Sequence, residues 1–419
     1  MSCQKLIIEG SRPLNGEIKV QGAKNSVLPI VAASLLCEDE TVLENCPHIS
    51  DTYTSCRILN HLGCRCKFGA NTLVINPKGT DKTDIPDELM QEIRSSIIYM
   101  GALLGAFGRC RLSFPGGCEL GPRPVDMHIN AMKRLGVRVL EEYGAIECVC
   151  PKGLTGSKIT LSYPSVGTTE NIILAAVKAK GETIIINAAR EPEITDLANF
   201  LNKCGADIKG AGNSTVVIKG KDKLHGCTYS IMPDRIAAAT YISAAVCSRG
   251  EISLKGIDIS LCESFISVFE QMGCSIYVYD GCIYVNAAKK LRSGGKIITL
   301  PHPGFPTDVQ PVVMAAVCKA QGITIFEETV FENRYRHVDS LVKMGADINV
   351  VGKAAVVTGV EKLYGAKVSA TDLRGGASML TAALGAEGIT EISEICHIDR
   401  GYENIEKAIS LLGGKIIRK

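Results

Sequence analysis

Two kinds of helical segment alternate along the chain and differ in the spacing of their apolar residues. Six segments rich in alanine and small apolar side chains have almost no polar face, which is typical of buried helices: 24–36, 88–107, 168–179, 234–247, 307–320 and 373–386. The helical segments between them are amphipathic. Short apolar strands, such as 183–186 and 323–326, follow the buried helices. The pattern predicts a mixed α/β fold.

A glycine closes each amphipathic helix, and these glycines are evenly spaced. They stand at positions 63, 136, 205, 273, 345 and 413, which are 73, 69, 68, 72 and 68 residues apart. Spacing this regular indicates six repeated α/β units of about 70 residues. Three such units make a domain of ordinary size.

The repeats predict two domains, one of residues 22–229 and the other of residues 1–21 with 230–419. In the second, the N-terminal strands 5–9 and 17–20 are expected to complete the sheets. We expect the active site in the cleft between the domains, where binding sites commonly form.

Composition narrows the class of protein. The 419 residues are 46% hydrophobic, and the N-terminus has no signal-peptide pattern, so we expect a cytoplasmic protein without membrane insertion. Eighteen scattered cysteines suit reduced thiols. Neither C-x-x-C nor H-E-x-x-H occurs, which disfavours a zinc site. A net charge of +2, with 5% aromatic residues and no tryptophan, disfavours nucleic-acid binding.

The segment 114–126 is the strongest candidate for a functional loop. Six of its thirteen residues are glycine or proline, and Cys118 lies in its middle, five residues before Arg123. A thiol in a loop near positive charge is the setting that makes cysteine reactive. A Cys–His pair with His128 is the alternative, but no protease signature surrounds Cys118.

Six cations are predicted at helix starts, where the helix dipole disfavours positive charge: Lys24, Arg123, Arg190, Arg334, Arg374 and Arg400. As a set they favour the binding of a ligand with more than one anionic group. The alternative is neutralisation by local carboxylates such as Asp126, Glu191 or Asp399.

Asp308 ends the proline-rich segment 301–308, and we expect it in the first turn of a buried helix. It is a candidate base toward a substrate hydroxyl, or alternatively a simple partner of the helix dipole. The Walker and G-x-G-x-x-G motifs are missing, so a bound nucleotide would not be held in a P-loop or Rossmann manner.

Several separated motifs resemble one family. They are G-A-K-N-S-V-L-P at 22–29, the Cys118 loop through His128, S-V-G at 165–167, E-P-E-I at 191–194, F-P-T-D at 305–308, F-E-N-R at 331–334, D-L-R at 372–374 and H-I-D-R-G-Y-E at 397–403. With these motifs the chain resembles the UDP-N-acetylglucosamine 1-carboxyvinyltransferases, a family of enolpyruvyl transferases. The resemblance implies an α/β fold of two domains, each an inside-out α/β barrel of three repeated units.

The resemblance also implies a reaction, the first committed step of peptidoglycan synthesis. The enolpyruvyl group of phosphoenolpyruvate moves to the 3′-hydroxyl of UDP-N-acetylglucosamine by addition and elimination through a tetrahedral ketal, releasing phosphate. Neither a metal nor an organic cofactor is implied.

Residue roles follow from the resemblance by position. Cys118 would be the general acid, also able to form a covalent adduct with phosphoenolpyruvate; Asp308 would be the base, and Lys24 a further catalytic residue. Phosphoenolpyruvate would contact Lys24, Asn25, Arg123, Arg334, Arg374 and Arg400. UDP-N-acetylglucosamine would contact Asn25, Arg94, Arg123, Pro124, Val125, Asp126, Met127, Ser165, Val166, Gly167, Asp308 and Val330.

One departure from the family pattern concerns Gly375 and Gly376. They follow Arg374 where alanine is expected, and they predict a looser loop there.

Two alternatives remain. The sister enzyme that acts on shikimate 3-phosphate shares the implied fold, but its G-D-K-S-x-x-x-R and G-N-x-G-T signatures are absent. A non-catalytic paralogue that senses a sugar nucleotide is disfavoured by the intact Lys24, Cys118, Asp308 and Arg400.

Replacing Cys118 by alanine or serine should severely impair the reaction, because the thiol is the implied proton donor. The alanine variant should also lose covalent labelling by the epoxide fosfomycin, which requires a thiolate nucleophile. Mass spectrometry of the intact protein measures the adduct. Full labelling of the Cys118→Ala protein would contradict the assignment.

Overall fold

The computed structural model describes residues 4–93, 95–114, 125–142 and 144–419. These residues divide into two compact units. The N-terminal unit contains residues 22–232 apart from the gaps just named, and the C-terminal unit contains residues 4–21 and 233–419. The division follows Met232, whereas the repeats predict a domain boundary after residue 229.

The described residues form fourteen α-helices, and no helix among them is long and apolar enough to span a membrane. They are α1 Lys24–Ala33, α2 Ser50–His61, α3 Asp87–Glu92, α4 Tyr99–Phe107, α5 Asp126–Arg134, α6 Val166–Ala176, α7 Pro192–Lys203, α8 Arg235–Ser248, α9 Glu263–Gln271, α10 Gln310–Val317, α11 Val338–Lys343, α12 Leu373–Gly385, α13 Cys396–Asp399 and α14 Ile405–Leu411. Four short 3-10 helices span Ser34–Leu36, Ser96–Ile98, Ile259–Leu261 and Arg334–His337.

The same residues form twenty-three strands. They are β1 Leu6–Glu9, β2 Asn15–Lys19, β3 Thr41–Glu44, β4 Arg65–Gly69, β5 Thr72–Asn76, β6 Arg109–Ser113, β7 Arg138–Glu142, β8 Ala145–Val149, β9 Lys158–Thr160, β10 Glu182–Ile186, β11 Asp207–Lys209, β12 Thr215–Lys219, β13 Thr228–Ser230, β14 Glu251–Lys255, β15 Ser275–Tyr279, β16 Cys282–Asn286, β17 Lys296–Ile298, β18 Ile323–Glu327, β19 Asp347–Val351, β20 Ala354–Thr358, β21 Lys367–Ser369, β22 Ile389–Ser393 and β23 Lys415–Arg418.

Six sheets confirm the sixfold repeat. The N-terminal unit has the strand orders β13-β3-β5-β4, β6-β8-β7 and β11-β12-β10-β9, and the C-terminal unit has β15-β16-β14-β2, β17-β18-β20-β19 and β21-β22-β1-β23. Each four-stranded sheet combines one parallel pair with antiparallel neighbours. As predicted, β1 and β2 join sheets of the C-terminal unit, β1 between β22 and β23 and β2 parallel to β14.

Alanine-rich helices form the centre of each unit. In the C-terminal unit α8, α10 and α12 pack against one another, and in the N-terminal unit α4 packs against α6 and α1. Every residue of α8 is buried, which its lack of a polar face predicts. The amphipathic helices and the sheets surround these central helices, so each unit is an inside-out α/β barrel.

The glycines that mark the repeat end its helices in the left-handed region. Gly63, for example, has φ +101°, and the other five range from +80° to +100°. A side chain at φ in this range is strained, so the glycine ends the helix and turns the chain into the next strand.

Two expectations about helices were wrong. Segment 88–107 is not one helix, because Ile93 is extended between α3 and α4 and the buried Ser96 hydroxyl donates to the Met90 carbonyl oxygen (2.8 Å). Gly375 and Gly376 do not form a loop; they lie in the first turns of α12, where a Cβ at Gly376 would be 2.6 Å from Cγ1 of Ile398. Glycine there permits close packing.

Replacing Gly101 by alanine should destabilise the N-terminal unit. Alanine favours helix by up to about 1 kcal/mol, but its Cβ would be 2.3 Å from the backbone oxygen of Asn171 in α6. Such overpacking costs roughly 1–3 kcal/mol, so we expect a net loss and a Tm lower by several degrees. The control is Gly69→Ala, whose Cβ would meet nothing within 4 Å. Equal Tm values for the two variants would contradict the packing argument.

Candidate active site

One carboxylate of the C-terminal unit lies between two buried arginines. Asp308 Oδ1 is 2.7 Å from Nη2 of Arg334, and Asp308 Oδ2 is 3.2 Å from Nη2 of Arg374. The two arginine side chains are 1% and 3% exposed, whereas the Asp308 side chain is 29% exposed. The carboxylate is therefore the solvent-facing member of the cluster.

Electrostatics keep this carboxylate ionised. Burial disfavours the charged form, but the positive charges of Arg374 and Arg334 and their hydrogen bonds outweigh that cost. The pKa of Asp308 consequently lies well below the usual range of a carboxyl group. In this arrangement Asp308 is a weak base and a strong counter-ion.

The turn before α10 positions the first arginine. Asp308 precedes that helix, which begins at Gln310, so its predicted place in the first helical turn was wrong. Arg334 Nε and Nη2 also donate to the backbone oxygen of Thr307 (3.0 and 2.8 Å). The Thr307 hydroxyl in turn donates to Glu328, which accepts from the backbone N–H of Val330. One network thus joins Val330 to the arginine cluster.

The start of α12 positions the second arginine. Asp372 caps this helix by accepting from the backbone N–H groups of Arg374 and Gly375. Arg374 Nη1 donates to the Tyr402 hydroxyl (3.2 Å), which shares a hydrogen bond with Thr240 (2.8 Å). Arg374 Nε is buried and has no hydrogen-bond partner among the described residues. An unsatisfied cationic N–H is an available donor for an anion.

A buried histidine supports the same cluster. His337 Nδ1 lies 3.1 Å from the backbone oxygen of Arg334 and donates to it in the neutral ring. Burial lowers the pKa of His337 to about 4, with Asp372 opposing the shift and Arg334 adding to it. His337 is therefore neutral at pH 7 and adds no positive charge.

Arg400 does not lie at a helix start, contrary to prediction. It is the C-cap of α13, where a cation is favoured by the helix dipole. Its neighbour Asp399, considered as its local partner, binds Nη1 and Nη2 of Arg418 at 2.8 and 2.7 Å. Arg418 also binds Glu406.

In the N-terminal unit, Lys24 and Asn25 open α1. Lys24 Nζ lies 2.9 Å from Oδ2 of Asp51 in the first turn of α2, with side-chain exposures of 12% and 2%. A largely buried lysine needs such a counter-ion. Carboxylates thus partner Lys24, Arg334 and Arg374 in this structure, but they are distant in sequence and are not the local carboxylates that the sequence suggested.

Two helix starts of the N-terminal unit bring most of the remaining predicted residues together: Val125, Asp126 and Met127 at α5, and Ser165, Val166 and Gly167 at α6. The Ser162 hydroxyl contacts Sδ of Met127 (3.7 Å), and a Cβ on Gly167 would be 3.3 Å from Cε1 of His128. The helices are joined by a hydrogen bond of 2.7 Å between Asn171 and His128.

Comparison with known proteins identifies the family. The family model described as EPSP synthase (3-phosphoshikimate 1-carboxyvinyltransferase) matches residues 8–409. The chain belongs to the EPSP synthase family.

Solved structures agree with this family. The enolpyruvyl transferase NikO from Streptomyces tendae has a TM-score of 0.90 at 26% identity, and the match covers 100% of this chain and 99% of that one. EPSP synthase from Acinetobacter baumannii has a TM-score of 0.76 at 18% identity, covers all of both chains, and shows the shared fold.

Curated relatives are more similar in sequence. A protein of Caldanaerobacter subterraneus subsp. tengcongensis named UDP-N-acetylglucosamine 1-carboxyvinyltransferase 2 is 47% identical and covers 99% of each chain. Proteins named UDP-N-acetylglucosamine 1-carboxyvinyltransferase are 45% identical in Lawsonia intracellularis, covering 99% of each chain, and in Finegoldia magna, covering 98%.

Four predicted residues lie outside the described part of the chain: Arg94, Cys118, Arg123 and Pro124. Their roles stay predictions from the resemblance to the UDP-N-acetylglucosamine 1-carboxyvinyltransferases. Among the described residues, no cluster of His, Cys, Asp and Glu side chains is arranged to hold a metal ion.

Sequence reasoning missed three groups that hold the predicted cations. Asp51 is 27 residues from Lys24 in the sequence. Acidic residues are so common in the first turn of a helix that Asp51 could not be recognised as the partner of this lysine. Tyr402 lies inside the 397–403 motif but received no role, and His337 had no distinguishing neighbour in the sequence. Their importance comes from tertiary contacts.

Replacing Asp308 by asparagine should destabilise the C-terminal unit by about 3 kcal/mol, because two buried guanidinium groups lose their shared counter-ion. The folded pKa of Asp308 is depressed, so its contribution is full above the unfolded pKa, about 3.9, and is lost as pH falls below it. The stability difference between wild type and variant should therefore be constant from pH 5 to 8 and shrink below about pH 4.

Thermal unfolding across this pH range measures the difference, with the exposed Asp347→Asn as the matched control. A wild-type advantage over Asp308→Asn that grows as pH falls below 4 would have the wrong sign for a depressed pKa.

Proposed function

We propose that this chain transfers the enolpyruvyl group of phosphoenolpyruvate to the 3′-hydroxyl of UDP-N-acetylglucosamine and releases phosphate. The observation that supports an anionic substrate is the pair of buried arginines around Asp308. One of them, Arg374, has an Nε without a hydrogen-bond partner in the described part of the chain. The acceptor is supported by relatives at 43–47% identity that are named for this reaction. The product enters peptidoglycan synthesis.

Phosphoenolpyruvate would replace the internal counter-ions of the cations. The carboxylate and the phosphate of phosphoenolpyruvate can each accept two parallel hydrogen bonds from a guanidinium group. Arg334 and Arg374 would receive the carboxylate side, while Lys24, Arg123 and Arg400 would hold the phosphate. Because Arg334 and Arg374 are buried, each bond to the ligand is made in a low-dielectric setting and is strengthened by it.

Substrate binding would also turn Asp308 into an effective base. As long as Arg374 and Arg334 face its carboxylate, the pKa of Asp308 is too low for proton abstraction. An anion bound to the same guanidinium groups screens their charge, which raises the pKa of Asp308 toward its ordinary range. Asp308 can then accept the proton of the 3′-hydroxyl only when phosphoenolpyruvate is in place.

The proposed reaction needs no cofactor. The 3′-oxygen bonds to C2 of phosphoenolpyruvate while Cys118 gives a proton to C3, and Asp308 takes the hydroxyl proton. The Cys118 thiolate would then take a proton back from the new methyl group as phosphate departs with the proton held by Asp308, which restores the double bond and both side chains. Cations around the phosphate stabilise the charge that develops on the leaving group.

The nucleotide would bind at the starts of α5 and α6. Helix N-termini carry partial positive charge, so residues 125–127 and 165–167 suit the diphosphate. Asn25, Arg94, Arg123, Pro124, Asp308 and Val330 complete the proposed set of contacts to UDP-N-acetylglucosamine.

We place the reaction in the cytoplasm. The sixteen cysteines that lie in the described part of the chain are all free thiols, which supports a reducing compartment.

Shikimate 3-phosphate is the second candidate acceptor, because the matching family is described by that activity. The solved EPSP synthase is only 18% identical and supports the fold alone. The chain also has none of that enzyme's signatures, which favours UDP-N-acetylglucosamine.

A phosphate-release assay with each acceptor should distinguish the two activities. With phosphoenolpyruvate present, we expect turnover with UDP-N-acetylglucosamine and background rates with shikimate 3-phosphate. The no-acceptor reaction serves as the control for phosphatase activity. Turnover with shikimate 3-phosphate alone would overturn the proposal, and turnover with neither would favour a non-catalytic sensor.

A further inference from the structure

Asp196 of α7 is a buried carboxylate that contacts the first turn of α1. Asp196 is 8% exposed, and its Oδ2 accepts hydrogen bonds from the Ser26 hydroxyl and from the backbone N–H of Met232 (3.2 Å). Its Oδ1 accepts from the Tyr229 hydroxyl at 2.6 Å. None of these four residues has a role in the chemistry proposed above.

The first turn of α1 lacks the usual means of fixing a helix end. Its N-cap is Ala23, which makes no side-chain cap hydrogen bond. The first N–H groups of a helix have no partners within the helix, so an uncapped first turn is prone to fray. Asp196 instead holds this turn through a side chain, since Ser26 lies in that same turn.

The hydrogen bond between Ser26 and Asp196 affects the direction of two neighbouring side chains, Lys24 and Asn25. Lys24 and Asn25 directly precede Ser26, so a fixed Ser26 sets the rotation of the turn that carries them. The backbone N–H of Ala23 also donates to the Met232 oxygen (2.8 Å), and Met232 is itself bound by Asp196. One carboxylate therefore fixes this turn both through a side chain and through the adjoining segment.

We propose that Asp196, acting through Ser26, is a positioning residue that orients Lys24 and Asn25 for substrate binding. The inference rests on the proposed function, because it assigns these two residues to the substrates. Asp196 does not touch the substrate. Its charge is placed near the N-terminus of α1, where the helix dipole favours an anion.

Ser26→Ala tests the link most directly. The variant removes the bond to α1 but leaves the Tyr229 and Met232 bonds to Asp196 intact. A hydrogen bond to a charged group corresponds to about tenfold or more in an equilibrium constant. We expect kcat/KM for phosphoenolpyruvate to fall about tenfold, mainly through KM, and Tm to fall by a few degrees, because the same hydrogen bond also stabilises the fold.

Ser34→Ala is the matched control. Ser34 is also fully buried, in the 3-10 helix that continues α1, but its hydroxyl donates to the Ile30 carbonyl oxygen of the same segment (3.1 Å). Both substitutions remove the hydroxyl of a fully buried serine, but Ser34→Ala leaves the hydrogen bond between Ser26 and Asp196 of α7 intact. We expect wild-type kinetics.

Asp196→Asn supplies the other half of a double-mutant cycle, with Asp207→Asn on β11 as its control. If both residues act through one bond, the double variant Ser26→Ala/Asp196→Asn should lose no more than the worse single variant. Should Asp196→Asn fail to fold, Ser26→Ala and Ser34→Ala alone decide the question.

The outcomes separate the two proposals. A wild-type protein without turnover of phosphoenolpyruvate and UDP-N-acetylglucosamine overturns the proposed function and the positioning role with it. An active wild type, with Ser26→Ala kinetics equal to those of Ser34→Ala, overturns the positioning role alone. A lower Tm for Ser26→Ala with unchanged KM likewise shows a structural bond and overturns positioning.

Discussion

The close approach of alanine- and glycine-rich helices is the constraint on which both units depend. A Cβ at Gly101 would be 2.3 Å from a backbone oxygen of α6, and one at Gly385 would be 2.4 Å from a backbone oxygen of α8. Each unit therefore has a core of helix packed directly on helix. The sheets can only surround that core, which gives them one buried and one solvated face and makes the barrel inside-out.

The same packing decides where polar chemistry can occur. The sides of the central helices are filled by apolar contacts, so charged groups are confined to their ends. Lys24 opens α1, Arg374 lies in the first turn of α12, and Asp308 precedes α10. Cations this deeply buried persist only beside carboxylates, which makes Asp51 and Asp308 structural counter-ions before they meet any ligand.

Local patterns in the sequence were enough to predict the architecture. Regular glycine spacing and segments without a polar face are consequences of short-range geometry, and both appear in the folded units. Predictions that depended on tertiary context were less successful. The packing of Gly376 against Ile398 and the pairing of Asp399 with Arg418 are decided by partners distant in sequence. The break at Ile93 is accompanied by a hydrogen bond from the Ser96 hydroxyl to Met90, which the spacing of apolar residues does not reveal. For the candidate site, the sequence identified the cations but not the groups that hold them.

The position of β1 has a consequence for the order in which the molecule can be built. This strand is the first of the described elements along the chain, yet it lies between β22 and β23, the last two strands. The N-terminal unit is encoded by a continuous stretch and can fold while translation proceeds. In the C-terminal unit, β1 gains its first sheet partner only when β22 has been made, and loss of β23 would leave β1 as an exposed sheet edge.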